Sequence, residues 1–168
     1  MGTRGLFGFC YKGKYYIIYN HYDSYPQGLG NNLLKEIKKA IDAGLLNDWK
    51  EKIQGLVIIV PGDIPTPEQI IAMEPYTNLS LGWDQPTWYC YLHKCQGSFE
   101  RVLSSGYIDN SDGIQNVNTR PILDLFLEYL YILNFDDQTF GCWSNDGQEA
   151  IFPLSDLPAD LTNLFEED

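Results

Sequence analysis

Basic residues are scarce in this 168-residue chain: 11 Lys and Arg stand against 23 Asp and Glu, a formal net charge of -12 at pH 7. The densest basic group, Lys35, Lys38 and Lys39, is interrupted by Glu36. Proteins that follow a phosphate backbone need a concentrated basic patch that releases counterions. We therefore expect no direct binding to nucleic acid, and the acidic composition favours neutral or basic macromolecular partners.

Long apolar runs are also missing, since the longest spans only residues 56–60. A membrane-spanning helix needs about 20 apolar residues. The N-terminus has no basic segment followed by an apolar stretch, the pattern of a secretory signal. We therefore expect an intracellular protein without membrane contact.

Motifs of known chemistry are absent as well. The chain has no Gly-x-Ser-x-Gly elbow and no papain-type cysteine box, and Gly28-Leu-Gly30 lacks the remaining residues of a phosphate-binding loop. The four cysteines include no Cys-x-x-Cys pair, and Cys90, His93 and Cys95 would not converge on one helix as tetrahedral zinc ligands. We expect four buried thiols, no metal and no cofactor.

The chain does have the residues of a core: 44% are hydrophobic and 14% aromatic. Residues 3–11 and 14–22 are rich in aromatic and β-branched types, and the Lys12-Gly13 turn between them predicts a hairpin of two strands. Residues 126–135 and 139–144 form a second predicted hairpin. A short strand is expected at 150–152. Both faces of these strands are apolar, which is typical of a sheet covered on both sides.

Helical spacing and cap signals predict the elements that cover this sheet. Asn31 or Asn32 would cap a helix that stops at Gly44, and Thr66-Pro67 begins a further short helix. A helix is favoured at 45–60, although Gly55 and the β-branched residues 57–60 argue for a strand at its end. Other helices are expected at 88–95, 98–103 and about 157–165, with a loop at 109–119. The prediction is one compact domain, 1–168. Its fold class is an α/β (α+β) layered sandwich with a largely antiparallel sheet from the N- and C-terminal hairpins, covered by helices.

Candidate site residues gather near the end of the second strand. His21 and Asp23 alternate there on one face, beside the opening strand that carries Thr3 and Cys10. A histidine bonded to a neighbouring acid is the commoner arrangement and is the interpretation we favour. The alternative is a catalytic group of Thr3, His21 and Asp23, or one built on Cys10.

Loop aromatics are the other candidates, because most aromatic residues fall in strand runs and are expected to be core. Tyr25, Trp83 and Trp88 lie in predicted loops or at a helix start and are the candidate binding residues.

The opening residues carry a resemblance. Met1-Gly-Thr-Arg-Gly5, Tyr19-Asn20, Asp23-Ser-Tyr-Pro26 and Leu29-Gly30, with later matches at 88–92 and 128–135, resemble a family of small uncharacterised proteins of large, marseillevirus-like DNA viruses, phages and microbes. The resemblance implies a single domain and a viral origin, and it brings no activity to transfer.

The order of the first strands also resembles that of N-terminal nucleophile hydrolases. That likeness implies a four-layer αββα sandwich and a chain-terminal Cys, Ser or Thr whose own amine acts as base. Here Met1 and Gly2 precede Thr3, and removal of Met1 would expose Gly2, which has no nucleophile. The likeness therefore supports a layered sandwich fold, whereas the missing N-terminal nucleophile disfavours hydrolase activity.

The sequence thus predicts a non-enzymatic interaction or accessory protein. We expect it to be virus-encoded and to act inside the host cell, in the cytoplasm or virus factory, through protein partners, with basic ones favoured. The alternatives are a small hydrolase with an N-terminal-nucleophile-like fold and a structural component packaged in the virion. Self-association stays open.

Overall fold

A five-stranded sheet lies at the centre of the computed structural model, which describes residues 3–81, 85–113 and 119–166. The strands in the described residues are β1 (Gly5–Tyr11), β2 (Lys14–Asn20), β3 (Val57–Ile59), β4 (Tyr107–Asp109), β5 (Tyr129–Asn134), β6 (Thr139–Ser144) and β7 (Glu149–Pro153). The large sheet has the order β2-β1-β5-β6-β7 and is antiparallel except for the central pair β1 and β5. The predicted mixed α/β sandwich with a mostly antiparallel sheet is confirmed.

Five α-helices lie in the same described residues. They are α1 (Asn31–Asp42), α2 (Leu46–Gln54), α3 (Pro67–Ala72), α4 (Trp88–Tyr91) and α5 (Phe99–Ser105). Single turns of other helix types occur at Pro26–Gly30, Glu74–Tyr76 and His93–Cys95. The predicted start at Thr66 is confirmed, because its side chain and that of Gln69 form a reciprocal capping box.

The two predicted hairpins are confirmed, and hydrogen bonds join the turn of one to the turn of the other. Lys12 and Gly13 both have positive φ, which suits the two-residue turn of a hairpin. Asp136, in the turn between β5 and β6, accepts the backbone N–H groups of Lys12 at 2.8 Å and Gly13 at 2.9 Å. This clamp fixes the ends of the parallel pair at the centre of the sheet.

Both faces of the sheet are covered, as the strand pattern predicts. One face packs against the helices and the small β3–β4 sheet; Phe7 and Phe9 meet Phe99 of α5 with ring centroids 5.6 and 4.7 Å apart. The opposite face carries a second cluster, which Leu123 and Leu127 cover. Its buried members are Leu6, Cys10, Ile17, Leu130 and Ile132. In the described residues this second cover is an irregular segment rather than a second large sheet.

Two predicted helices are wrong in part or in full. The helix expected over 45–60 ends at Gln54, and Val57–Ile59 forms β3, which pairs in parallel with β4 at the start of the predicted 109–119 loop. β-Branched residues after Gly55 favour this strand. The segment at 157–165 forms turns instead of a helix. A hydrogen bond from the Leu161 N–H to Asn31 Oδ1, 2.6 Å long, attaches this segment to α1. Residues 114–118 of the predicted loop lie outside the described residues.

The predicted cap of α1 is also wrong. Gly30 occupies the cap position without a side-chain bond, because the turn Pro26–Gly30 runs directly into the helix. Asn31 is the first helical residue and uses its side chain to hold the C-terminal segment. The described residues contain no helix long and apolar enough to cross a membrane.

Candidate functional site

Both histidines of the chain line one cavity of about 430 Å³ at the end of β2, which we call the histidine cleft. Its lining comes from the start of β1, the end of β2 and the segment around α4. The lining residues are Arg4, Tyr19, His21, Tyr22, Leu81, Tyr89 and His93.

The turn after β2 shapes this cleft. Asn20, the last strand residue, is buried, and its side-chain amide donates to the carbonyl of Tyr22 at 2.7 Å and to Ser24 Oγ at 2.9 Å. Asp23 then takes a left-handed conformation with φ of 55°, which Asn and Asp adopt more readily than most residues. The chain therefore leaves the sheet sharply and places His21 and Tyr22 at the cleft.

A polar network orients His21. Its Nδ1 lies 2.7 Å from the Tyr19 hydroxyl, and its backbone N–H donates to Gln96 Oε1 at 2.9 Å. Gln96 also hydrogen-bonds the side chain of Tyr89. The Tyr89 ring stands 6.4 Å from the His21 ring and 5.1 Å from the His93 ring, centroid to centroid. Tyr89 thus joins the two histidines into one cluster.

The two imidazoles are shifted toward the neutral form. Burial lowers the pKa of His21, and the nearby Arg4 charge lowers it further. Burial also lowers the pKa of His93, with His21 as the second cause. The Nδ1 atom of His93 is buried without a hydrogen-bond partner, so protonating it would create a buried N–H donor with no acceptor. The buried Nδ1 atom and the lowered pKa therefore both favour the neutral form of His93.

The charge of the histidine cleft is opposite to that of the chain. Among the residues that the structure describes, no Asp or Glu lines it, and the guanidinium of Arg4 is the one permanently charged group in that described lining. Three tyrosines supply hydroxyls beside these N–H donors. The arrangement offers hydrogen-bond donors without a carboxylate to repel an anion.

A second cavity of about 630 Å³, which we call the polar cavity, adjoins the first and shares Tyr22 and His93 with it. Its other lining residues are Asn20, Asp23, Leu29, Asn32, Lys35, Glu36, Gln96, Gly97, Ser98, Glu100 and Arg101. Glu36 accepts hydrogen bonds from Ser98 Oγ at 2.6 Å and from the Phe99 N–H at 2.7 Å, at the start of α5. Burial raises the pKa of Glu36, and these two bonds oppose that shift.

The structure separates the three residues of the hydrolase alternative. Thr3 lies beside the turn, because its carbonyl accepts the Ser24 N–H at 3.1 Å, but it lines neither cavity. His21 hydrogen-bonds Tyr19, whereas Asp23 faces the polar cavity. The reason is local: β2 ends at Asn20, so the strand alternation that would pair His21 with Asp23 does not continue.

Cys10, the other proposed nucleophile, is buried on the far face of the sheet. Its Sγ lies 3.9 Å from Asp136 Oδ2. Burial raises its thiol pKa, and the Asp136 charge adds to this, which disfavours the thiolate needed for attack.

The three aromatic residues predicted to bind a ligand or partner are Tyr25, Trp83 and Trp88, and the structure describes two of them. Trp88 is 5% exposed, and its indole N–H donates to the Asp63 carbonyl at 2.8 Å, so it belongs to the core and not to a binding surface. Tyr25 is half-buried, hydrogen-bonds Asp23 and lines neither cavity. Trp83 lies outside the described residues. The residues that sequence reasoning missed are Arg4, Tyr89 and His93; the one available signal was that His21 and His93 are the only histidines.

Metal-ligand types do not converge: across residues 3–81, 85–113 and 119–166, no three His, Cys, Asp or Glu side chains are placed to hold a metal ion. All four cysteines are buried and unpaired. No family model matches the chain, and no curated protein or solved structure matches it. The geometry of the histidine cleft and the polar cavity therefore carries the functional proposal alone.

Proposed function

We propose that the protein binds a negatively charged group, with phosphate as the best fit, in the histidine cleft. The observation that carries this proposal is the lining itself: an arginine, both histidines and three tyrosines, with no carboxylate among the described lining residues, in a chain of net charge -12. Such a concentration of donors disfavours a cation and leaves an anion as the matching ligand.

Phosphate fits better than a single carboxylate because the donors come from several separate elements. Arg4 supplies a planar fork that suits phosphate or carboxylate oxygens. The imidazoles of His21 and His93 can each donate one N–H while neutral, and His21, whose Nδ1 has the Tyr19 hydroxyl as a partner, can become a cation when an anion draws a proton to it. A phosphate group has enough acceptor oxygens to meet the arginine and both rings at once.

The test is a titration with inorganic phosphate followed by NMR of the histidine side chains. We expect saturable shifts of both His21 and His93, and the same titration with sodium chloride at matched ionic strength should not reproduce them. Arg4→Gln should weaken phosphate binding by about tenfold, since hydrogen bonds to charged groups contribute about 1.5–3 kcal/mol.

Arg120→Gln is the matched control for this experiment. Arg120 lies over the Trp143 ring, 4.3 Å from its centroid, and does not line the histidine cleft. The Arg120→Gln substitution removes one positive charge, as Arg4→Gln does, and should leave phosphate affinity unchanged. Absence of saturable shifts in the wild-type protein at about 10 mM phosphate would overturn the proposal.

Interaction with a protein partner is the second candidate function. Its support is an exposed apolar group on the segment that covers the second sheet face: Ile122, Leu125 and Phe126 are 87%, 88% and 70% exposed. Exposed apolar groups of this kind mark interaction sites more often than isolated surface residues do. The acidic composition favours a basic partner.

Paired substitutions test this second candidate. Leu125→Ser with Phe126→Ser should abolish capture of a partner that the wild-type protein retains from its source cells. Asn163→Ser, at an exposed polar position, should retain it. Equal capture by all three proteins would rule out this surface.

The viral, host-cell setting is part of the same second proposal, because it follows from the resemblance of the opening residues. Proteomics of purified virions distinguishes its two forms. Stoichiometric presence in particles would support a structural component, and presence in infected cells alone would support an accessory protein.

A further inference from the structure

We infer that the polar cavity is the second half of the ligand site and binds the hydroxyl-rich part of a molecule whose phosphate lies in the histidine cleft. The ligand class is thus a phosphorylated polyhydroxy compound such as a sugar phosphate. This inference rests on the proposed function, because it takes the phosphate position from it.

Continuity of the two cavities is the first step. Tyr22 and His93 line both of them, so the two cavities are adjacent and a ligand held beside these residues lies next to both. The Tyr22 side chain is 60% exposed, and its ring centroid lies 4.5 Å from that of His21. Cavities of about 430 and 630 Å³ each fall in the range of small-molecule sites, about 300–1,000 Å³. Inorganic phosphate alone would leave the larger one unfilled.

Chemistry of the polar cavity is the second step. Unlike the histidine cleft, it mixes acceptors and donors: the carboxylates of Asp23 and Glu100, the amide of Asn32, and the cationic groups of Lys35 and Arg101. Each ligand hydroxyl both donates and accepts a hydrogen bond, so it needs a lining of this mixed kind.

The same lining excludes other ligand parts. Carboxylates would repel a second phosphate, and most of the described lining side chains are polar or charged, so an alkyl chain would cover polar groups without replacing their hydrogen bonds to water. Glu36 already accepts one hydrogen bond on each carboxylate oxygen, from Ser98 and from Phe99, so we assign hydroxyl recognition first to Asp23 and Glu100.

Four probes separate the contributions: inorganic phosphate, ribose 5-phosphate, glucose 6-phosphate and butyl phosphate, each titrated against the full chain by NMR and calorimetry. We expect the sugar phosphates to bind at least about tenfold more tightly than inorganic phosphate, since one or two added hydrogen bonds suffice for that factor. Butyl phosphate should bind no more tightly than inorganic phosphate.

Two variants locate the effect. Asp23→Asn keeps a residue type that tolerates positive φ, and Asn32→Ala truncates an exposed side chain. Each should reduce sugar-phosphate affinity by about fivefold, a loss of about 1 kcal/mol for one hydrogen bond, and leave inorganic-phosphate affinity unchanged. Asp156→Asn, exposed and outside both cavities, is the matched control.

The outcomes distinguish this inference from the proposed function. Phosphate binding with no gain from the sugar, or a gain that neither Asp23→Asn nor Asn32→Ala reduces, overturns the inference and leaves the phosphate site intact. Failure of all four probes to bind overturns both. An equal gain from butyl phosphate also overturns the inference, because it would show an apolar contribution.

Discussion

Replacing Tyr131 by phenylalanine tests how the turn beside the site is held. Tyr131 is 0% exposed on the central strand β5, and its hydroxyl donates a 2.7 Å hydrogen bond to the carbonyl of Ser24, a residue that is also 0% exposed. Burial raises the pKa of Tyr131, which keeps the hydroxyl protonated as a donor. A buried carbonyl that loses its donor costs about 1–3 kcal/mol. We expect Tyr131→Phe to lower the free energy of unfolding by about 2 kcal/mol and Tm by about 4–8 °C.

Tyr76→Phe is the matched control. The Tyr76 hydroxyl also has a 2.7 Å hydrogen bond, to Ser104 Oγ, but at an exposed position where water can replace the lost partner. Its cost should stay below about 0.5 kcal/mol. Urea unfolding followed by tryptophan fluorescence compares the two variants, with unchanged m-values as the sign that stability alone has changed. Equal losses in both variants, or no loss in Tyr131→Phe, would refute the reasoning from burial.

Three further predictions concern the sheet, the polar cavity and the histidine cleft. Gly8→Ala should lower the free energy of unfolding by about 1–3 kcal/mol in urea, because the added Cβ would press on the Tyr16 carbonyl of the neighbouring strand. Glu36→Gln should become more stable relative to wild type as pH rises from about 4 to about 7. Because the pKa of Glu36 is raised in the folded protein, the folded state holds the Glu36 proton more tightly than the unfolded state does. The stability that this proton contributes to the wild type is therefore present at low pH and lost above the folded pKa. A pH-independent difference in unfolding would contradict this. Arg4→Gln should raise the pKa of His21 in an NMR titration, since the Arg4 charge lowers it, and an unchanged value would separate the two groups.

The sheet was largely predictable because its signals are local. Runs of aromatic and β-branched residues and the Lys12-Gly13 turn are sufficient to define β1 and β2 from neighbouring residues alone. β3 was not predictable in the same way. It has three residues, and its partner β4 begins 50 positions later, at Tyr107 opposite Val57. The β-branched residues after Gly55 indicate a strand, but they do not show what it pairs with, because the parallel partner is set by tertiary packing.

The site was predictable only in part, because its residues come from distant segments. His21 is a candidate from its place at the strand end, whereas His93 reaches the cleft through the His93–Cys95 turn, a placement that no pattern in the sequence indicates. Arg4 was noted only within the opening motif. Asp23 lies close to His21 in sequence, yet its positive φ turns it into the other cavity. Proximity in sequence therefore predicted a pair that backbone geometry separates.

An anion site in a chain of net charge -12 is physically consistent because distance decides which charges a ligand feels. At physiological ionic strength the Debye length is about 8 Å, so carboxylates elsewhere on the surface are largely screened. Arg4 and the imidazoles of His21 and His93 act at contact distance, where screening by salt is weakest. The donors that line the histidine cleft, with no carboxylate beside them in the described part of the chain, thus matter more for its ligand than the total charge does. The acidic surface and the histidine cleft can accordingly serve different ligands: a basic protein on the outside and a phosphate within.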